Sequence, residues 1–490
     1  MRGMTITAAL EKEVVENVPK GALIDGSWVE NGKTFEVIDP STGEAICEVT
    51  DAGEVESMAA LDAADAAKAS WAQTAPRERS ELLHRAYESM MDRVDELALL
   101  MTLEMGKPIA ESRAEIAYAA EFFRWFSEEA VRISGRYSTM PAGGGRILTM
   151  KQPVGVCVFV TPWNFPLAMG TRKIGPALAA GCTVVMKPAK ETPLSSFALG
   201  QTLLDAGMPD GVVNILSGNS ASSIVAPLLK DPRTRKLSFT GSTEVGRQLI
   251  RQSADNVLKV SMELGGNAPF IVHEDADLDA AVDGAVLAKM RNNGEACTAA
   301  NRFHAHESIA GAFAEKFAAR LAQMKVGRGT EADVAVGPLI NESQREIVEG
   351  LVADATAKGG KLLTGGERPD GPGYYFPPTV IGDVSLDAAI LTDEVFGPVA
   401  PIKSFSSEEE AIASANATEY GLMAYVYTRD LGRAFRTIEG LETGMVGLNR
   451  GVVSNPAAPF GGVKQSGFGR EGGFEGIEEY LDTKYVGMDF

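Results

Sequence analysis

Four short segments carry residue types that can do chemistry. In RNNGEACTAANR (Arg291–Arg302), Cys297 follows an Asn-Asn-Gly turn and precedes a run of small residues. Thr298 to Asn301 is expected to begin a helix, and a thiol at a helix N-terminus sits in a positive partial field that favours thiolate. The plain alternative is a small apolar residue filling a core. In ELGGNAPFIV, Glu263 precedes a double glycine between two hydrophobic strands. That puts it on a loop at a strand end, where α/β folds place ligands and chemistry; a surface acid before a tight turn is the other reading. TPWNFP (Thr161–Pro166) follows an apolar run, and its prolines hold the Asn164 amide still, as an oxyanion donor must be held. An Asn that only caps the next helix would look the same. FTGSTEVG (Phe239–Gly246) is a strand–Gly–Ser–helix junction whose backbone N–H groups can bind a phosphate.

The elements that must position these residues follow from hydrophobic patterning. Apolar positions recur at helical spacing through residues 51–131. The pattern breaks at MPAGGG (Met140–Gly145), flanked by short alternating stretches that read as a β-hairpin or an arm. VGVCVFVTP (Val154–Pro162) is a continuous apolar run, the mark of a strand buried on both faces. From there strands and helices alternate, which predicts a parallel α/β sheet. A second alternating block runs from about Ala268 to residue 450, and the last stretch returns to strand and turn. GFGREG (Gly467–Gly472) has GxGxxG spacing, but the chain ends too soon afterwards for a βαβ unit, so it is no dinucleotide fingerprint.

Composition narrows the class. The chain has 490 residues, enough for two or three domains. Its 45% hydrophobic and 23% charged residues are those of an ordinary soluble globular protein. A net charge of −20 argues against a nucleic-acid partner. Cys47, Cys157, Cys182 and Cys297 are far apart, which suggests neither a zinc cluster nor a disulfide framework. A reducing compartment is the natural reading. The N-terminal stretch has no apolar core of signal-peptide type, and no run is long enough to span a bilayer. The expectation is a cytoplasmic protein with no membrane contact and no metal site.

PWNFP, KPA…TP, FTGSTEVG, ELGG, NNGEAC…NR, EVFGP and PFGGVKQSGFGREGG occur in this order along nearly the whole chain. Together they resemble the aldehyde dehydrogenase superfamily. The resemblance implies an α/β fold in three parts. A Rossmann-like cofactor domain would span 1–131 and 151–262, and an α/β catalytic domain 263–469. A β-hairpin/tail oligomerisation element would span 132–150 and 470–490, giving a homodimer or homotetramer. It further implies that Cys297 attacks an aldehyde to form a thioester, that Asn164 holds the alkoxide, and that Glu263 activates the hydrolytic water. Lys187 and Glu394 match the family's contacts to the two cofactor riboses. Phe396 would pack beside the nicotinamide, with Trp163 and Leu264 also lining the cofactor site. Ser242, with the amides near Gly241 and Gly246, would meet the pyrophosphate. Glu295 departs from the family, which usually has glutamine two residues before the nucleophile. A carboxylate aimed at the thiol would oppose thiolate formation, so Glu295 is expected to face away.

In NAD-preferring relatives the residue three after the KPA lysine is commonly glutamate; here it is Lys190, with Glu191 one later. An ammonium attracts a 2′-phosphate, so NADP is the expected preferred cofactor, with NAD usable. Within the superfamily the chain looks most like the succinate-semialdehyde dehydrogenase group, in which two arginines and a serine hold the substrate carboxylate. Arg172, Arg291 and Ser454 fall at those places, and a guanidinium grips a carboxylate bidentately; structural ion pairs are the alternative for the arginines. Arg450 and Asn455-Pro456 depart from that group and would suit a longer acid such as glutarate semialdehyde. A cysteine hydrolase or acyl transferase using His304 or His306 is the rival class, and it leaves the cofactor motifs unexplained.

Overall fold

VCVFV (Val156–Val160) is buried at every position because helices cover both faces of its sheet. Cys157 and Phe159 enter one core, and Val156, Val158 and Val160 enter the opposite one. The structure is a computed structural model that describes residues 6–489. The expected outer domain limits therefore extend past it at residues 1–5 and 490, which lie outside the described residues.

This strand sits in an eight-stranded sheet. Its order is Gly467–Phe468, Lys259–Glu263, Thr234–Thr240, Val156–Val160, Thr183–Lys187, Val213–Ile215, Ala22–Ile24 and Ser27–Val29. The five strands from Lys259–Glu263 to Val213–Ile215 are parallel. Starting from Val156–Val160, the chain winds outward in one direction, then returns to add Thr234–Thr240 on the other side. That reversal is the switch point at which doubly wound sheets open a ligand crevice. The helices expected over 51–131 form as Glu54–Gln73, Pro76–Asp92, Val94–Met105 and Ile109–Ala130. The third of these stops at Gly106, whose φ of 90° only glycine adopts readily.

A second sheet orders Lys361–Thr364, Thr379–Gly382, Val399–Phe405, Ala300–His306, Ala268–Val272, Met423–Tyr427 and Met445–Leu448. All neighbours are parallel except the outermost pair at Lys361–Thr364. The expected hairpin is Arg136–Thr139 with Arg146–Pro153, and the tail strand Leu481–Met488 pairs antiparallel along the whole of the latter. No described helix is long and apolar enough to cross a membrane.

The two large sheets are joined tip to root. Lys259–Glu263 ends at the carboxyl edge of the first, and after Leu264–Asn267 the chain enters Ala268–Val272 at the amino edge of the second. The seam between these edges gathers the chemical residues.

One local expectation fails. No helix begins at Thr298; the strand Ala300–His306 follows instead, near the middle of the second sheet. Ala299 and Ala300 favour helix intrinsically, but the chain pairs with Ala268–Val272 from Ala300 onward, and with Val399–Phe405 from Phe303, which overrides that preference.

Candidate active site

A cleft of about 270 Å³ opens at the seam. Its lining includes Trp163, Asn164, Gly241, Ser242, Leu264, Cys297, Glu394 and Phe396, drawn from segments far apart in sequence. Ser242 caps the helix Thr243–Ala254 by accepting from the Val245 N–H at 3.4 Å, so the helix presents its N-terminus to the cleft. A Cβ on Gly246 would meet Leu264 Cδ2 at 2.4 Å, which is how this helix start packs close against Leu264. Trp163 and Phe396 meet edge to face at 5.4 Å. A larger cavity of about 850 Å³ beside helix Ala310–Ala322 contains none of these residues.

The thiol is carried by a left-handed turn. Asn292, Asn293 and Gly294 have φ of 56°, 57° and 79°, a conformation that asparagine and glycine tolerate best. Gly294 lies so close to the Glu394–Pro398 loop that a Cβ would meet the Gly397 carbonyl at 2.3 Å. Asn293 is spanned by the Gly337 N–H, which it accepts at 2.8 Å, and the Pro338 carbonyl, to which it donates at 3.1 Å. Asn292 donates to the main-chain carbonyls of Asn164 and Glu295 at 3.0 and 2.9 Å.

Asn164 is buried and does not cap the following helix. Its amide donates to the Glu295 carbonyl at 3.0 Å, which fixes the amide plane and uses one of its two N–H bonds. Its own carbonyl accepts from Lys107 at 2.7 Å. Lys107 is paired with Glu115 at 2.6 Å, both fully buried. The other Glu115 oxygen accepts from the N–H groups of Leu167 and Ala168, at the start of helix Ala168–Ala180. The neighbouring prolines therefore are only part of what holds Asn164.

The double glycine after Glu263 is a matter of space. A Cβ on Gly265 would sit 2.9 Å from Glu394 Oε2, and one on Gly266 would sit 2.3 Å from the Cys297 carbonyl. Glu394 accepts from the Gly266 N–H at 3.1 Å. Electrostatically the cleft disfavours negative charge at rest. Burial, and then Glu394, push the Cys297 thiol up to about 12. With a strand rather than a helix after it, the expected thiolate-favouring field is absent. Burial raises Glu394 to about 7. Glu263 has two buried carboxyl oxygens without hydrogen-bond partners, and burial followed by Glu471 holds it well above the usual carboxylate range. The Glu295 carboxyl turns away from the thiol, as expected, and accepts the Ile340 N–H at 3.0 Å.

Comparison with known proteins matches residues 28–486 to the aldehyde dehydrogenase family. The chain belongs to that family. A succinate-semialdehyde dehydrogenase of Paenarthrobacter nicotinovorans is 59% identical over 433 residues, 88% of this chain and 96% of that one. A glutarate-semialdehyde dehydrogenase of Pseudomonas aeruginosa is 50% identical over 469 residues, 95% of this chain and 96% of that one. The crystal structure of an E. coli NADP-dependent enzyme superposes with a TM-score of 0.96 at 46% identity, covering 99% of this chain and 100% of that one.

For an aldehyde dehydrogenase, the rival hydrolase bases are misplaced. His304 lies inside its strand, buried and pushed down to about 3, and His306 shares a hydrogen bond with Ser308 at 2.8 Å. Beyond the thiol, Arg291 donates to Ser454 at 3.4 Å and lies over the Phe165 ring. Arg172 does not join them. It is buried in an ion pair with Glu471 at 2.6 Å and stacks on Phe460. Lys173, also buried, pairs with the same carboxylate. Lys187 is buried without an ion pair among the described residues, and burial lowers its pKa; Lys190 is exposed.

Sequence reading missed Lys107, Glu115, Asn292 and Glu471. The signal for Glu471 lay in GFGREG itself, a segment with the right letters for a different motif.

At the pH where the thiol titrates, Glu394 is ionised and opposes it. Glu394→Gln is therefore expected to move the pH dependence of Cys297 alkylation by iodoacetamide, in the cofactor-free enzyme, to lower pH. An unmoved profile would show that Glu394 does not set the thiol's field.

Proposed function

We propose that this aldehyde dehydrogenase oxidises succinate semialdehyde to succinate, with NADP preferred over NAD. The Arg291–Ser454 pair, next to the thiol loop and with no carboxylate ion-paired to Arg291 among the described residues, is the observation that carries the substrate reading. A guanidinium and a hydroxyl together suit the far carboxylate of a short semialdehyde. The relative from P. nicotinovorans, named for that substrate, supports it. The P. aeruginosa relative, named for glutarate semialdehyde, keeps the five-carbon acid as a second reading. Arg172, expected to share this clamp, is paired with Glu471, and its charge acts on the Cys297 thiol by favouring the thiolate.

The residues fit a dinucleotide. The first-turn N–H groups of helix Thr243–Ala254 that Ser242 does not engage, with the close-packed Gly241 and Gly246, would form a cradle for the pyrophosphate. Lys187 and Glu394 would bond the two riboses. Trp163, Leu264 and Phe396 would line the nicotinamide end. Lys190 offers an ammonium to a 2′-phosphate. The bound nicotinamide supplies the acceptor for the two electrons leaving the carbonyl carbon.

The chain's own residues do the rest. Cys297 Sγ forms a bond to the aldehyde carbon, and the oxygen that gains charge faces the second N–H of Asn164. Oxidation of that carbon leaves a thioester. Glu263 then removes a proton from water, whose oxygen attacks the thioester; the C–S bond breaks and the thiol recovers a proton. Burial makes Glu263 a stronger base than an exposed carboxylate, which suits it to this step.

The two large sheets and the hairpin–tail sheet support a division into cofactor domain, catalytic domain and oligomerisation element, although Gly467–Phe468, expected within the catalytic domain, adds an edge strand to the first sheet. The exposed side chains of Tyr137, Met150 and Tyr485 on that third sheet support a homo-oligomer assembled through it. The four free cysteines suit a cytoplasmic, reducing location.

Two measurements test these readings. Arg291→Ala is expected to raise KM for succinate semialdehyde by roughly 10- to 100-fold, the worth of a hydrogen bond to a charged group, while KM for an uncharged aldehyde changes little. Equal effects on both would reject the carboxylate clamp. Lys190→Ala is expected to lower kcat/KM with NADP by about tenfold and to leave NAD nearly unchanged, within the range for one charged contact. A wild-type enzyme that strongly prefers NAD would reject the lysine argument.

A further inference from the structure

Glu295 stands where the chain departs from its family, and its surroundings give it a task. The side chain is fully buried, and one carboxyl oxygen accepts the Ile340 N–H at 3.0 Å while the other has no partner. Its main-chain carbonyl is the acceptor that orients the Asn164 amide, at 3.0 Å. One residue thus joins three parts of the cleft: the left-handed turn, the oxyanion donor and the segment Pro338–Asn341. That segment leads into helix Glu342–Ala357, whose Gln344 lines the cleft and donates to the Phe396 carbonyl at 2.9 Å.

We propose that Glu295 is a positioning residue that works as an uncharged acid: its grip on the Ile340 N–H holds the thiol loop in the register that aims Asn164 at the reacting oxygen. This rests on the oxyanion role assigned to Asn164 above. The surroundings agree with a neutral group. Burial holds the carboxyl well above the usual carboxylate range. The charged group that faces it is Lys107, whose ammonium is committed to Glu115 and the Asn164 carbonyl. Pro338, Leu339, Ile340 and Asn341 bring no ionisable side chain. A carboxylate formed here would lie buried beside one N–H and no available cation, and the loop would move to hydrate it.

The sign of the linkage is fixed by that direction. A carboxyl raised in the folded state contributes its stability fully below the unfolded pKa and loses it as pH rises toward the folded value. Glutamine at 295 keeps an acceptor for Ile340 and does not titrate. Glu295→Gln should therefore match the wild type near the ordinary carboxylate pKa and melt at progressively higher temperature than the wild type as pH rises. The other buried acids are common to both proteins and cancel in this difference. In activity, Glu295→Gln should keep kcat near the wild-type value, whereas Glu295→Met, similar in volume but without the acceptor, should lower kcat about tenfold or more with little change in KM, the scale expected for a misplaced catalytic group.

A melting difference that stays flat with pH overturns the uncharged-acid assignment. Wild-type kcat in Glu295→Met overturns positioning, and that variant decides the case if Glu295→Gln does not fold. Asn164→Ala, assayed alongside, separates the two layers. If it retains full activity, the oxyanion reading fails. If it is inactive while Glu295→Met is unimpaired, only the positioning role fails.

Discussion

Three consecutive residues in the left-handed region carry Cys297 into the cleft, and much of the site exists to hold them there. Outside glycine such a backbone costs on the order of 1–2 kcal/mol per residue. Asn292 and Asn293 offset it with buried side-chain hydrogen bonds to four different main-chain groups. The turn also determines what surrounds it. It sends the Glu295 carbonyl to Asn164, leaves room only for glycine beside Gly397, and delivers Cys297 against the double glycine that joins the two sheets. The seam is therefore narrow because backbone, not side chain, fills it.

Buried charge is the second theme. Lys107–Glu115 and the Arg172–Lys173–Glu471 cluster each withdraw ions from water, a cost that their mutual attraction roughly balances at best. Their value is geometric. Lys107 places the Asn164 main chain, and Glu115 ties the loop to a helix start. In the second cluster the cations outweigh burial and hold the Glu471 carboxyl below its usual range. They also face Glu263, whose own proton affinity is high. Two carboxyls in one buried neighbourhood are thus driven in opposite directions by what each is bonded to.

The buried strands, the helical block, the hairpin and the gathering of Trp163, Asn164, Ser242, Cys297 and Glu394 at one cleft were legible in the sequence because each is encoded locally, by an apolar run, a period or a motif. The helix expected after Cys297 was not there, because the helix preference of Ala299 and Ala300 yields to the strand that begins at Ala300 and pairs with Ala268–Val272. The thiol's environment differs from the expected one because the fold buries it and then sets Glu394, distant along the chain, against it. Lys107 and Glu115 sit in an amphipathic helical region where charged residues look like a solvated face. Only the fold turns them inward.

Glu471, next to the short strand Gly467–Phe468 that pairs with Met262 and Glu263, comes 298 residues after Lys173 along the chain. During synthesis the cations of Arg172 and Lys173 emerge from the ribosome long before their counter-ion. Until Gly467–Glu471 has emerged, the first sheet lacks both an edge strand and the anion that pairs with those cations. The seam is therefore completed only when this distant segment docks, and without it Asn164, Glu263 and Cys297 would all be present while two positive charges stood stranded in the core.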